Sequence, residues 1–211
     1  MMRRRTTLLA AIGAVGAVVA ISGCGGSSGT AGSAATPTSS GAVTPGGASP
    51  AATELNPPGD IPDNQAYVAY RPAAGGYVVS VPEGWSRSTT ANGAAFTDKL
   101  NSIRIEERSA SAAPTVASVT ASDVAALARS ASTFTLGKVS LVTRKAGPAV
   151  LTTYQVDSAV NPVTGKVVRD AVERYTFWKN GRAVTLTLSA PQGSDNVDPW
   201  RIVTNSFAWK P

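Results

Sequence analysis

The first aromatic residue of this chain is Tyr67, and what precedes it is poor in the side chains that build a core. Residues 25–60 read GGSSGTAGSAATPTSSGAVTPGGASPAATELNPPGD, almost all Gly, Ser, Thr, Ala and Pro. Such a stretch cannot bury enough apolar surface to offset the entropy of ordering it. Residues 24–63 therefore read as a tether, and the fold must be built from residues 64–211. That leaves enough chain for one hydrophobic core. As a flexible coil of about 39 residues the tether spans roughly 35 Å on average. Fully extended it reaches about 130 Å.

Ahead of the tether the chain opens MMRRR, and Leu8 to Ile21 then carry no charge. That run is too short to cross a bilayer, which takes about 20 apolar residues. It has the length of a signal-peptide core. Ile21-Ser22-Gly23-Cys24 closes it, and Cys24 is the only cysteine. This order resembles the lipobox of bacterial lipoproteins. The resemblance implies a signal peptide over residues 1–23, a diacylglyceryl group on the Cys24 thiol and cleavage before it; in that family the new amine is often acylated too. Ile21, Ser22 and Gly23 would be the signal-recognition residues. The mature protein would sit on the extracytoplasmic face of the cell membrane, held by lipid. Arg4-Arg5 leaves twin-arginine export open, although Thr7 stands where that signal wants a bulky apolar residue.

Charge and residue types narrow the chemistry. The net charge is +6, but Arg3, Arg4 and Arg5 fall in the signal; without them 16 Lys and Arg face 13 Asp and Glu. The two signs alternate along the domain, so no one-signed patch suggests nucleic acid. There is no histidine, and the single thiol is committed to the anchor. This removes Ser-His-Asp and Cys-His catalysis, and internal disulfides as well. No phosphate loop is present. Glu106 and Glu107 are strand neighbours and point to opposite faces. No cofactor and no metal-ligand set is implied.

Patterning gives the domain its elements. Tyr77, Val79 and Val81 alternate in a strand that ends at Pro82-Glu83-Gly84. Residues 94–98 and 102–107 form a hairpin, with Ile103 and Ile105 on its apolar face. A helix follows, capped by Thr120 or Ser122, with Val124, Leu127, Ala128 and Ala131 as its apolar stripe. Strands are predicted over 139–144, 150–157, 167–178 and 182–189, the last two joined by an Asn180-Gly181 turn. Asp198-Pro199 reads as a helix start, with Asp198 as cap and Trp200, Val203 and Phe207 turned inward. The succession of meanders without βαβ units predicts an α+β fold, an antiparallel sheet of about six to seven strands flanked by helices.

Two stretches carry a family likeness. GGYVVSVPEGW (75–85) is similar to the first strand of PsbP/Mog1-type domains. LTLSAPQGSDNVDPWRIVTNSFAW (186–209) resembles the closing strand, helix and short last strand of LpqN-type actinobacterial lipoproteins. The resemblance covers roughly residues 65–210. It implies a PsbP/Mog1-like α/β/α sandwich without shared catalytic apparatus. It also implies an accessory role in the cell envelope, with an envelope protein or cell-wall lipid as partner. Three functions follow: a non-catalytic binding module, a carrier of apolar lipid in a pocket between sheet and helix, or a carboxylate-only hydrolase. The first is favoured, because most catalytic groups are missing.

Candidate ligand or partner residues are Trp85, Asp195, Asn196, Asp198 and Trp200. The three polar ones cluster in a loop, where they suit a Ca²⁺ or sugar site. They also suit turn formation and helix capping, the local reading. The tryptophans suit either a groove or core packing. If Cys24 carries the anchor, Cys24→Ser moves the protein to the soluble fraction with its domain still folded. Fractionation after a high-salt wash checks this, because two acyl chains hold where one is marginal.

Overall fold

The computed structural model describes residues 58–161 and 164–211. Cys24, the Ile21-Ser22-Gly23 signal residues and most of the tether lie outside the described residues. Ten strands and three short α-helices follow in chain order. They are β1 (Tyr67–Tyr70), β2 (Tyr77–Pro82), β3 (Ser86–Thr90), β4 (Gly93–Asp98), β5 (Asn101–Ser109), α1 (Val116–Val119), α2 (Ala125–Ser130), β6 (Thr135–Arg144), β7 (Gly147–Asp157), β8 (Arg169–Lys179), β9 (Arg182–Pro191), α3 (Val197–Ser206) and β10 (Ala208–Trp209). A π-helical turn, Thr120–Val124, joins α1 to α2.

Seven strands make one antiparallel sheet in the order β3-β4-β5-β9-β8-β7-β6. Period-two alternation gives it two faces. Ile103, Ile105, Leu186, Leu188, Tyr175 and Phe177 lie on the first and belong to the main core cluster. A second antiparallel sheet, β1-β2-β10, covers this face together with α3, contributing Tyr77, Val79 and Val81. The opposite face holds Val150, Thr152, Thr176 and Thr185, all buried. The α1–α2 run lies on that side, in contact with β6 and linked to β5 by Arg108 and Asp123 at 4.0 Å. The α+β class and the seven-strand antiparallel sheet agree with the sequence-based expectation. The small second sheet was not foreseen: YVAY is short, and β10 pairs with a strand more than a hundred residues away.

Turn chemistry behaves as read. Asn180 and Gly181 have φ of 49° and 83°, the two positive values of a tight hairpin. At Gly76 the requirement is space: a Cβ would overlap the Arg182 guanidinium, which lies against this backbone and pairs with Glu107 at 2.6 Å.

Three local readings change. The helix begins earlier, at a capping box in which the Thr115 side chain accepts from Ser118 N–H. Its buried residues are Val119 and Val124, while Ala128 is exposed. Five residues apart, these valines would sit about 140° from each other on an α-helix. The π turn brings them to one side. The Thr120 and Ser122 hydroxyls bond the carbonyls of Val116 and Ser118. At α3 the backbone cap is Asn196, not Asp198, and Pro199 lies in the first turn. The inward stripe Trp200, Val203 and Phe207 is as read.

The third change is at the start of the domain. Ile61, read as tether, is 4% exposed and packs in the core cluster. Its N–H donates to Asn196 Oδ1 at 2.8 Å. One isoleucine among Pro, Gly and Asp gives no periodic signal, so composition alone put the boundary too late. A chain starting at Asn64 should therefore be less stable than one starting at Pro58. Ile61→Ala should cost about 2–5 kcal/mol in urea unfolding, the range for truncating a buried Ile.

Candidate functional site

Beside α3, the first face of the large sheet is open. The strands β6, β7 and β8 run on past the helix and leave a cleft of about 350 Å³. Its floor is Thr153, Gln155, Ala171 and Glu173, successive same-face residues of β7 and β8. One wall is the start of α3, with Asn196, Val197 and Trp200; the other is Leu136 and Gly137 on β6. A register shift between Leu136 and Lys138 bends that edge strand here. Val197 is 68% and Leu136 41% exposed, so both apolar rims face solvent.

Glu173 is the one charged residue in this lining. Its Oε2 accepts from Tyr175 Oη at 2.7 Å. Tyr175 Oη in turn accepts from Arg144 Nη2 at 2.7 Å, and the Arg144 guanidinium stacks 4.8 Å from the ring centroid. Arg144 Nε also donates to Thr204 of α3. Among the described residues no Lys or Arg lies within ion-pair distance of Glu173. Glu106 pairs with Arg104 at 2.9 Å and Glu107 with Arg182 at 2.6 Å, on opposite faces as expected.

The other candidate residues separate into scaffold and surface. Asn196 is buried and joins three segments: Oδ1 accepts from Ile61 N–H, and Nδ2 donates to Gly59 O and Asn101 Oδ1. Its side chain is spent on structure. Trp200 is 6% exposed and meets Trp85 edge to face, with ring centroids 6.5 Å apart. Trp85 lies away from the cleft. Asp195 and Asp198 are exposed; Asp198 pairs with Arg201 at 2.8 Å, and Asp195 N–H donates to Asp60. Trp209 packs on Phe207, and the Trp178 indole donates to Ala110 O. The four tryptophans therefore line no common groove. Among the described residues no group of three His, Cys, Asp or Glu is placed to hold a metal. No described helix is long and apolar enough to cross a membrane.

Sequence reasoning missed Glu173, Leu136 and Ala171 as cleft residues. Glu173 looked like any carboxylate on a wet strand face. Only the three-dimensional position of α3 shows that this face is neither covered nor fully open. A second hollow of about 630 Å³ lies on the other side of the sheet, between Leu100, Ser102, Val168 and Asp170. Burial pushes the Asp170 carboxyl above its ordinary range, Asp157 adds to this and the Ser189 hydroxyl opposes it.

No protein-family model matches the chain, and no curated protein sequence does. Solved structures do. PsbP (CyanoP) from Synechocystis is 17% identical, with a TM-score of 0.48 over 74% of this chain and 99% of that one. LpqN, described as involved in cell envelope biogenesis of Mycobacterium tuberculosis, is 13% identical, with a TM-score of 0.45 over 71% and 93%. The Ran-binding protein Mog1p of Saccharomyces cerevisiae is 9% identical, with a TM-score of 0.44 over 68% and 95%. Likenesses of this size concern the path of the chain, not ligand or partner.

Burial pushes the Tyr175 hydroxyl up to about 12, with the Glu173 carboxylate adding to the shift. A folded-state value above the ordinary 10 favours folding below pH 10, and the benefit fades as pH rises toward 12. Tyr175→Phe should flatten the loss of stability between those values, read as thermal midpoint against pH.

Proposed function

We propose that the protein is a non-catalytic binding module of the cell envelope. It is anchored by lipid on Cys24 at the extracytoplasmic face and takes its ligand or partner group in the cleft beside α3. The observation that carries this reading is the cleft itself: a preformed hollow on rigid strands, with apolar rims and one carboxylate on its floor. Sites of this kind are concave, mostly apolar and hold few polar groups. A domain of the PsbP/Mog1 type behind a segment rich in Gly, Ser, Thr and Pro suits such a role, because the length of that segment gives the domain reach beyond the bilayer surface.

The alternatives fit less well. Glycoside hydrolysis by carboxylates needs two of them about 5 to 10 Å apart across the substrate. The cleft lining offers one. At about 350 Å³ the cleft is at the small end of ligand pockets, which favours a compact ligand or a partner's side chain over a whole lipid. None of its lining residues comes from the α1–α2 run.

A photo-crosslinking residue at position 197, on the cleft rim, should capture one recurrent lipid or protein from the protein's own membranes. The same probe at Lys179, on the distant hairpin, should not. Asp195→Ala and Asp198→Ala should leave that capture within about twofold, as expected of solvated surface charges. Leu136→Arg should abolish it. Equal labelling from positions 197 and 179 would contradict the proposal.

A further inference from the structure

We infer that the cleft recognises a small amphiphilic amine, its ammonium group against Glu173 and its apolar body along Ala171, Leu136 and Val197. This rests on reading the cleft as a binding site and names the chemistry it selects. Three observations carry it. First, Glu173 is the single charged residue in the lining, and among the described residues no Lys or Arg lies within ion-pair distance of it. Glu173 is half-buried and bonded to Tyr175, and a ligand that covers it without bringing a cation desolvates the carboxylate further, at a cost. An ammonium group on the ligand offsets that cost.

Second, the carboxylate is held in place. Tyr175 Oη donates to Oε2 and is itself fixed by Arg144, so one oxygen is oriented and Oε1 is free to accept. Arg144 also stacks on the Tyr175 ring and reaches Thr204, so its charge is directed at the tyrosine and α3. Third, the walls disfavour a sugar. Stacking needs an open aromatic face, and Trp200 is 6% exposed with Trp85 against it. The Leu136 and Val197 side chains offer aliphatic surface instead.

The test uses the full chain and three probes of equal length: n-hexylamine, n-hexanol and hexanoate. Binding is read from NMR shifts of the Ala171 amide and the Trp200 indole. Hexylamine should bind best. Glu173→Gln should weaken it by roughly 10- to 100-fold, the value of one charge-assisted hydrogen bond. It should leave hexanol unchanged. Val197→Lys, at an exposed site, should also weaken hexylamine by placing a rival ammonium at the rim. Thermal midpoints within a few degrees of the parent show that both variants are folded. Hexanol or hexanoate binding as well as hexylamine, or Glu173→Gln without effect, would overturn the amine inference and leave the cleft as a binding site. Failure of all three probes to shift either reporter would overturn both readings.

Discussion

Asn196 is the residue on which the arrangement of this domain turns. It is buried, and its side chain is shared among three stretches far apart in sequence: the incoming Gly59 and Ile61, Asn101 at the start of β5, and its own position at the head of α3. Its carbonyl also receives the first helical hydrogen bond, from Trp200 N–H at 2.9 Å. A buried amide is tolerated only when its donors and acceptors are met, and here the partners are mostly backbone groups that would otherwise be orphaned. This contact holds the head of α3 on the sheet, and the head of α3 is one wall of the cleft.

The far end of α3 is fastened by different means. Ser206 Oγ accepts from Ser80 N–H on β2 at 2.7 Å, and Phe207 stacks on Phe177 with ring centroids 4.4 Å apart. Midway, Thr204 is joined to Arg144 and so to Tyr175. A short helix is marginal alone and takes its stability from such packing. With both ends and the middle held, α3 is a fixed wall rather than a lid. That favours a preformed site over one that closes around its ligand.

How much of this was legible can be judged from particular residues. The alternation of Ile103 and Ile105 and the Asn180-Gly181 turn were plain, since both are local rules of strand and hairpin. The polar strand Ser86–Thr90 was not, because SRSTT has no apolar face and is a strand only through pairing with β4. Asp198-Pro199 misled by two residues: α3 starts at Val197, and the Asn196 side chain before it is held by Ile61 and Gly59, a long-range contact that no local rule reveals. At the site, Trp200 and Asn196 stood out by type, and both stand in the cleft wall, Asn196 with its side-chain amide bonded to Ile61, Gly59 and Asn101. Glu173 had no signal at all, because its distinction is the lack of an ion-pair partner among the described residues, and a sequence does not record which charges stay without one.

The π turn between α1 and α2 has a consequence for how such a chain changes over time. Val119 and Val124 are both buried with a widened turn between them. Loss of one residue from Thr120–Val124 would leave the valines four apart, the α-helical spacing that also shares a face. Insertions and deletions of single residues usually rotate everything that follows. Here the extra residue is absorbed within one turn, so lineages descended from this chain can differ in length at this point while the sheet beneath stays in register.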